Sequence, residues 1–265
     1  MGPKLTATRT RIRTRTRIRT RKELKNMAAY YSYKPYSLNS SSRITLNMSN
    51  GNKKIGEDTL IFNITSATDC PSKSLGLCHI PDGKCYALKA EKLYPGCLSY
   101  RRKQAEYFDA RNSYGIAHDI YQVLTKRIVD KYKNGQRKLM DRIKYIRFSE
   151  CGDFRSQTDV DKLNEAAEAL NFVLNDRDGK KPIIWYGYSS RSDLDFSNAD
   201  SLLVKGSAHT NGNNGVTVSG TLEESEKGRK TIIRNGVRHL VCKGDCSTCK
   251  ICKLKKSTPL FIPLH

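Results

Sequence analysis

The stretch Ile143–Tyr188, IKYIRFSECGDFRSQTDVDKLNEAAEALNFVLNDRDGKKPIIWYGY, decides the reading of the fold. It opens with Ile143–Phe148, a β-branched and aromatic run of strand length. Val160, Leu163, Ala167, Leu170 and Leu174 then recur at three- to four-residue steps, which predicts a helix over Thr158–Leu174 with one apolar stripe. Thr158 followed by Asp161 resembles a capping box at its start. Pro182–Tyr188 (PIIWYGY) reads as strand again. Strand, helix, strand is the pattern of a parallel α/β unit.

The same pattern extends outward. Asp58–Ile64 (DTLIFNI) predicts the first strand, and a helical segment in two pieces follows from Ser99 to about Tyr132, with Ile116, Ile120, Val123, Leu124 and Ile128 as its stripe. Ser201–Lys205 and Val237–Val241 read as further strands, and the Gly/Asn/Ser-rich residues 206–230 as a long flexible loop. Polar clusters follow the later strands: SECGDFRS, SSRSD and GSAHT. Sites of parallel α/β folds form at the carboxyl ends of strands, so one barrel-like or open α/β domain with its site in these loops is expected.

Nine cysteines fall along the chain. The loop after the first strand carries Cys70, Cys78 and Cys85, with His79 and Cys97 as further ligand candidates. The loose spacing is not diagnostic: three cysteines on such a loop can hold a [4Fe–4S] cluster with one open iron, or a structural zinc site completed by Cys97 or His79. Four more thiols, Cys242, Cys246, Cys249 and Cys252, lie within eleven residues near the end. Thiolates that close repel unless a cation holds them. An iron–sulfur cluster, a zinc ion and a redox or unligated state remain open for this run. Cys151 reads as a packing residue, and His239 as an ordinary strand residue. Glu150 and Asp153 flank Cys151–Gly152 at a strand end, where carboxylates receive an amine or act as acid and base. Ser189, Ser190 and Arg191 close the next strand, and Arg191 has the geometry to grip a phosphate or carboxylate.

The net charge is +22, of which +9 belongs to residues 1–26, an alternating Arg/Thr repeat read as a disordered basic arm. The arm suits phosphate contacts; equally it is an appended start, with Met27 as an alternative initiator. The rest still carries +13, so an anionic substrate or nucleic acid is the expected partner. No run of about 18 apolar residues predicts a membrane span, and no apolar core of a secretory signal follows the basic start. The organisation expected is the arm (1–26), an extended lead-in (27–57), an α/β domain (58–241) and a Cys-rich tail (242–265).

Several blocks together resemble the bacteriophage "gene product 88" family over about residues 50–252: NKKIGEDTLIFNI, DCPSKSLGLC, GKCYALK, IRFSECGDFRS, WYGYSSRS and the terminal cysteine run. Its most specific parts are Cys85-Tyr86-Ala87 and the block holding Arg147, Gly152, Asp153, Phe154 and Ser156. The layout is similar to the radical-SAM superfamily. That resemblance implies a partial (β/α) barrel with a Cys-rich loop and a Cys-rich C-terminal segment. It implies an iron–sulfur cluster on Cys70, Cys78 and Cys85 with Tyr86 beside it. It further implies S-adenosylmethionine as a second cofactor, its amino group received near Gly152 by Glu150 or Asp153. Such a protein would be virus-encoded, not secreted, and active on a nucleotide or nucleic acid in the host-cell cytoplasm. The rival expectation is a zinc-stabilised, non-enzymatic nucleic-acid-binding protein.

Overall fold

The computed structural model describes residues 44–51, 54–130, 135–255 and 257–263. The basic arm and most of the lead-in lie outside these residues.

Eleven strands and five helices can be placed. The strands are β1 (Ser49–Asn50), β2 (Thr59–Phe62), β3 (Arg127–Asp130), β4 (Gly135–Lys138), β5 (Tyr145–Phe148), β6 (Ile184–Ser189), β7 (Leu202–Ser207), β8 (Val216–Gly220), β9 (Thr231–Arg234), β10 (Val237–Val241) and β11 (Leu260–Pro263). The helices are α1 (Pro71–Ser74), α2 (Tyr86–Leu93), α3 (Cys97–Ala110), α4 (Ser113–Thr125) and α5 (Gln157–Asp178). Nine strands form one sheet in the order β1-β2-β5-β6-β7-β8-β11-β10-β9, while β3 and β4 pair as a separate antiparallel ribbon. Seven neighbouring strands, from β2 across to β10, run parallel; only the edge strands β1 and β9 are antiparallel to their neighbours. The α/β class expected from the sequence holds. The sheet is open, with β1 and β9 as its two edges.

Strands β2, β5, β6, β7 and β8 occupy successive positions, so each crossover advances one place in the same direction. Pairing then sorts the side chains into two faces. Leu60, Ile146, Trp185 and Leu202 form one row, and Phe62 pairs with Phe148 on the same side. All six are buried, with Phe62 against Tyr107 and Phe108 of α3. Fully burying side chains of this size stabilises by about 1.5–3 kcal/mol each, which makes this helix-covered face the core. The other face carries Ile61, Arg147, Tyr186 and Leu203 in one row, then Tyr188 beside Lys205. It is covered by the terminal cysteine segment: the turn Ile251–Lys253 packs on β6 and β7, and β11 inserts between β8 and β10. The described residues of this tail, 242–255 and 257–263, therefore pack with the sheet.

Several local expectations shift. The helical segment ends at Thr125, and Ile128 lies in the β3–β4 ribbon. Arg111 is extended and Asn112 starts α4 by accepting a hydrogen bond from the Gly115 N–H at 2.8 Å. Removing that cap in Asn112→Ala is expected to cost about 1 kcal/mol, read as a lowered urea midpoint. Helix α5 starts after Ser156, and no capping box forms at Thr158; Asp159 instead accepts from the Arg155 N–H at 2.9 Å. The loop 206–230 contains β8 and a short 3-10 turn. No described helix is long and apolar enough to cross a membrane.

Candidate functional site at the carboxyl edge of the sheet

The loops leaving β2 and β5 are zipped together. The Thr65 hydroxyl donates to the Asp153 carbonyl at 3.0 Å and accepts from the Asp153 N–H at 2.9 Å. The Asn63 carbonyl oxygen of the side chain accepts from the Cys151 N–H at 3.1 Å, and the Asn63 amide donates to Gln104 on α3 at 2.9 Å. Gly152 makes this approach possible. Its φ is +67°, and a Cβ there would stand 2.0 Å from Thr65 Oγ1. The glycine serves the contact between two loops of the chain itself.

Asp153 is 4% exposed and ties three strand ends into one knot. One carboxylate oxygen accepts from the Ser189 hydroxyl (2.7 Å) and the Phe154 N–H (2.8 Å). The other accepts from the Ser72 hydroxyl (2.6 Å) and the Ser190 N–H (2.7 Å). Ser72 belongs to the cysteine loop after β2, and Ser189 and Ser190 close β6. A carboxylate has about four acceptor positions, and all four are taken. Burial pushes the Asp153 carboxyl above its ordinary range, against these hydrogen bonds, which favour the charged form. An amine has no position left to bind at Asp153, and of the two carboxylates only Glu150 keeps one.

Glu150 is partly exposed, with Oε2 3.9 Å from Arg101. The Tyr86 hydroxyl donates to its main-chain carbonyl, and Arg147 on β5 reaches the same hydroxyl at 3.5 Å. Arg101 is buried and paired with Glu91 at 2.9 Å. Burial alone would raise Glu91, but the Ala67 and Thr68 N–H groups, the Thr68 hydroxyl and Arg101 hold its carboxyl below the usual range. This pair fixes α2 and α3 against the cysteine loop. Residues on two helices ten positions apart give no local sequence signal, and the pair escapes a reading of motifs.

All nine cysteines are free thiols. Cys70 precedes α1, whose first residue is Pro71, and burial, Asp153 and Cys78 push its thiol up to about 11. Cys85 precedes α2 and packs against Ala67, Ala87 and the buried Cys151, whose thiol donates to the Thr65 carbonyl at 3.4 Å. His79 is exposed, and Cys97 starts α3. Arg191 closes a turn: Nε and one terminal nitrogen grip Asp193 at 2.7 Å, and the other donates to the Phe154 and Arg155 carbonyls. Its grip is thus spent within the chain, as is the Ser189 hydroxyl. His239 is buried with Nδ1 against the Val237 carbonyl, as an ordinary strand residue would be.

Among the described residues, no three or more His, Cys, Asp or Glu side chains are gathered to hold a metal ion. In kind, the donors suit a thiophilic metal. Cys70 lies close enough to Cys78 to feel its charge. No family model matches the chain, nor does any curated protein or solved structure.

Proposed function

We propose that the chain is a phage-type metalloenzyme with a radical-SAM-like partial (β/α) barrel. In this reading Cys70, Cys78 and Cys85 hold a [4Fe–4S] cluster, and S-adenosylmethionine binds beside it. The substrate is a nucleotide or nucleic acid, met in the host-cell cytoplasm. One observation carries the reading: Asp153 joins the loop bearing Cys70 to the ends of β5 and β6, at the carboxyl edge of successive parallel strands. The loop that bears these thiols is thereby anchored at the edge where α/β sheets bind ligands. One-electron chemistry at an open iron is what such a cluster supplies when bound.

The chain's own residues divide the remaining work. Glu150 receives the amino group of S-adenosylmethionine, and Tyr86 steadies it through its carbonyl. Asp153 and Ser189 act as positioning residues, since both are consumed in the knot. Gly152 lets the loop after β5 reach the cysteine loop.

The test is purification without oxygen. The expected product is brown, with broad visible absorption and bound iron. Cys85→Ser should lose the iron of this loop while its far-UV circular dichroism is unchanged. A colourless chain carrying zinc alone overturns the iron–sulfur reading. It would favour the zinc-stabilised nucleic-acid-binding alternative, which draws its support from a cleft beside the β3–β4 ribbon where Arg127, Arg137, Lys138 and Lys180 outnumber Asp141 and Asp178, the partners of the two lysines.

A further inference from the structure

Helix α2 presents a face to solvent that its own packing does not use. The helix buries Ala87 and Glu91, one turn apart, against the cysteine loop and α3. Tyr86, Lys89 and Leu93 recur at three- and four-residue steps on the opposite side, and all three are exposed. Lys92 and Tyr94 flank Leu93 and are exposed as well. Seven large apolar or aromatic side chains are exposed among the described residues, and three of them sit on this segment: Tyr86, Leu93 and Tyr94, at 60%, 69% and 60%. Such a concentration marks a binding surface, where single exposed side chains would not.

Tyr86 fixes one end of the face. Its hydroxyl donates to the Glu150 carbonyl, and Arg147 reaches the same hydroxyl at 3.5 Å. Burial there pushes the phenol above its ordinary range, while the residue as a whole stays mostly exposed. The exposed part is therefore the ring. A surface tyrosine ordinarily does the reverse, with its ring inward and its hydroxyl wet. The eight-residue helix rises about 12 Å, so Tyr94 stands at its far end from Tyr86 and from the carboxyl edge of the sheet.

The exposed charge on this segment has one sign. Lys84, Lys89 and Lys92 are exposed. The one carboxylate in the sequence between residues 83 and 96, Glu91, is buried and paired with Arg101 at 2.9 Å. Two carboxylates stand at the margins. Asp69 is held by Arg102 at 2.8 Å, and Glu150 lies beyond the Tyr86 hydroxyl, 3.9 Å from Arg101.

These features select the occupant. Residues 1–26 of the chain carry +9, and a second copy in a two-fold contact would bring the same lysines, so like charge opposes both. The partner has to be anionic, and it has to offer flat apolar surface to Leu93 and Tyr94. A nucleic-acid duplex keeps its base faces stacked inside. A single strand offers phosphates and base faces together.

We propose that the outer face of α2 docks single-stranded nucleic acid. Bases pack on Tyr94 and Leu93, phosphates meet Lys89 and Lys92, and the strand runs along the helix toward Tyr86. The inference rests on the function proposed above only in taking this strand to be its substrate; docking itself needs no cluster.

The experiment reads the fluorescence anisotropy of a labelled oligodeoxythymidine strand, and of its duplex with oligodeoxyadenosine, on the full-length chain. High salt screens whatever phosphate contacts residues 1–26 add. The strand is expected to bind more tightly than the duplex. Tyr94→Ala should weaken strand binding about 5- to 150-fold and leave duplex binding unchanged, while Tyr94→Phe, which keeps the ring, stays close to the original affinity. Lys89→Gln combined with Lys92→Gln should lower the slope of log affinity against log salt by about 1.4, and serves as the reporter if Tyr94→Ala does not fold. Equal losses on strand and duplex in Tyr94→Ala overturn the proposal. So does unchanged strand affinity and slope in both variants. Binding to phosphatidylserine vesicles that Tyr94→Ala weakens, with strand binding untouched, overturns it too and makes the face a membrane contact. Metal content separates this result from the function above. A colourless, zinc-loaded chain that shows the Tyr94 dependence keeps the docking face and loses the cluster; a brown chain without that dependence does the reverse.

Discussion

Asp153→Ala should destabilise the protein by about 4 kcal/mol, since it strands buried donors that cost about 1–3 kcal/mol each when unpaired. Four donors lose their acceptor: the Ser72 and Ser189 hydroxyls and the Phe154 and Ser190 N–H groups. The hydroxyls can turn toward other acceptors, which brings the total below the sum of four penalties. Asp153→Asn should cost about half as much. Its amide oxygen still accepts two of these bonds, but its NH₂ faces the Ser190 N–H, donor against donor. Urea unfolding of the full chain measures both. The result also bears on the metal, because Ser72 lies two residues from Cys70. If the cysteine loop holds the proposed cluster, the weakened knot releases that loop, and iron content should fall along with stability. Glu150→Gln should leave the urea midpoint and the iron in place. A catalytic role for Asp153 predicts the reverse: Asp153→Asn folded, metal-loaded and merely inactive. Wild-type stability in Asp153→Ala would remove the knot from the account.

The parts of the fold legible in the sequence were those where one stripe or one alternation dominates. Helix α5 shows its buried Val160, Leu163, Ala167, Leu170 and Leu174 in the periodicity, and Val237–Val241 is a strand with the bounds expected from the sequence. What stayed hidden depended on partners distant in sequence. Val216–Gly220 has Thr, Ser and Gly at three of its five positions and becomes a strand because β7 and β11 flank it on both sides. Leu260–Pro263 is a short run between prolines, yet it finds a place between β8 and β10. The site divides in the same way. Polar clusters after strands marked the carboxyl edge, and that placement holds. The roles within it were less legible. Asp153, Ser189 and Arg191 are polar residues at strand ends in either case, and only their partners tell a ligand-binding group from one consumed by the chain. Arg147, Lys205 and Lys253 carry no motif of their own beyond a resemblance. Strand register puts Arg147 and Lys205 on one sheet face, and Lys253 joins them from the turn Ile251–Lys253 that packs on β6 and β7.

Gly152→Ala should be as damaging as the loss of Asp153, for a reason that separates a packing glycine from a ligand-binding one. At φ +67° an added Cβ carries a backbone penalty of about 1–2 kcal/mol. The Cβ would also stand 2.0 Å from Thr65 Oγ1 and 2.8 Å from the Ser66 carbonyl oxygen. Thr65 cannot swing aside freely, because its hydroxyl holds both the N–H and the carbonyl of Asp153. Yielding therefore sacrifices two hydrogen bonds of about 1 kcal/mol each, and overpacking adds about 1–3 kcal/mol. A total of at least about 4 kcal/mol is expected, read from the urea midpoint. Adding Thr65→Ala makes the prediction specific. That change removes the hydroxyl the new methyl strikes, so the double variant should be about 1–2 kcal/mol more stable than the two single effects added together. The rescue stays partial, since the Thr65 backbone carbon and the Ser66 carbonyl remain within 2.8 Å. If Gly152 were small in order to admit a ligand, Gly152→Ala would fold normally and Thr65→Ala would not couple to it. Strict additivity of the two changes would exclude the contact as the reason for the glycine.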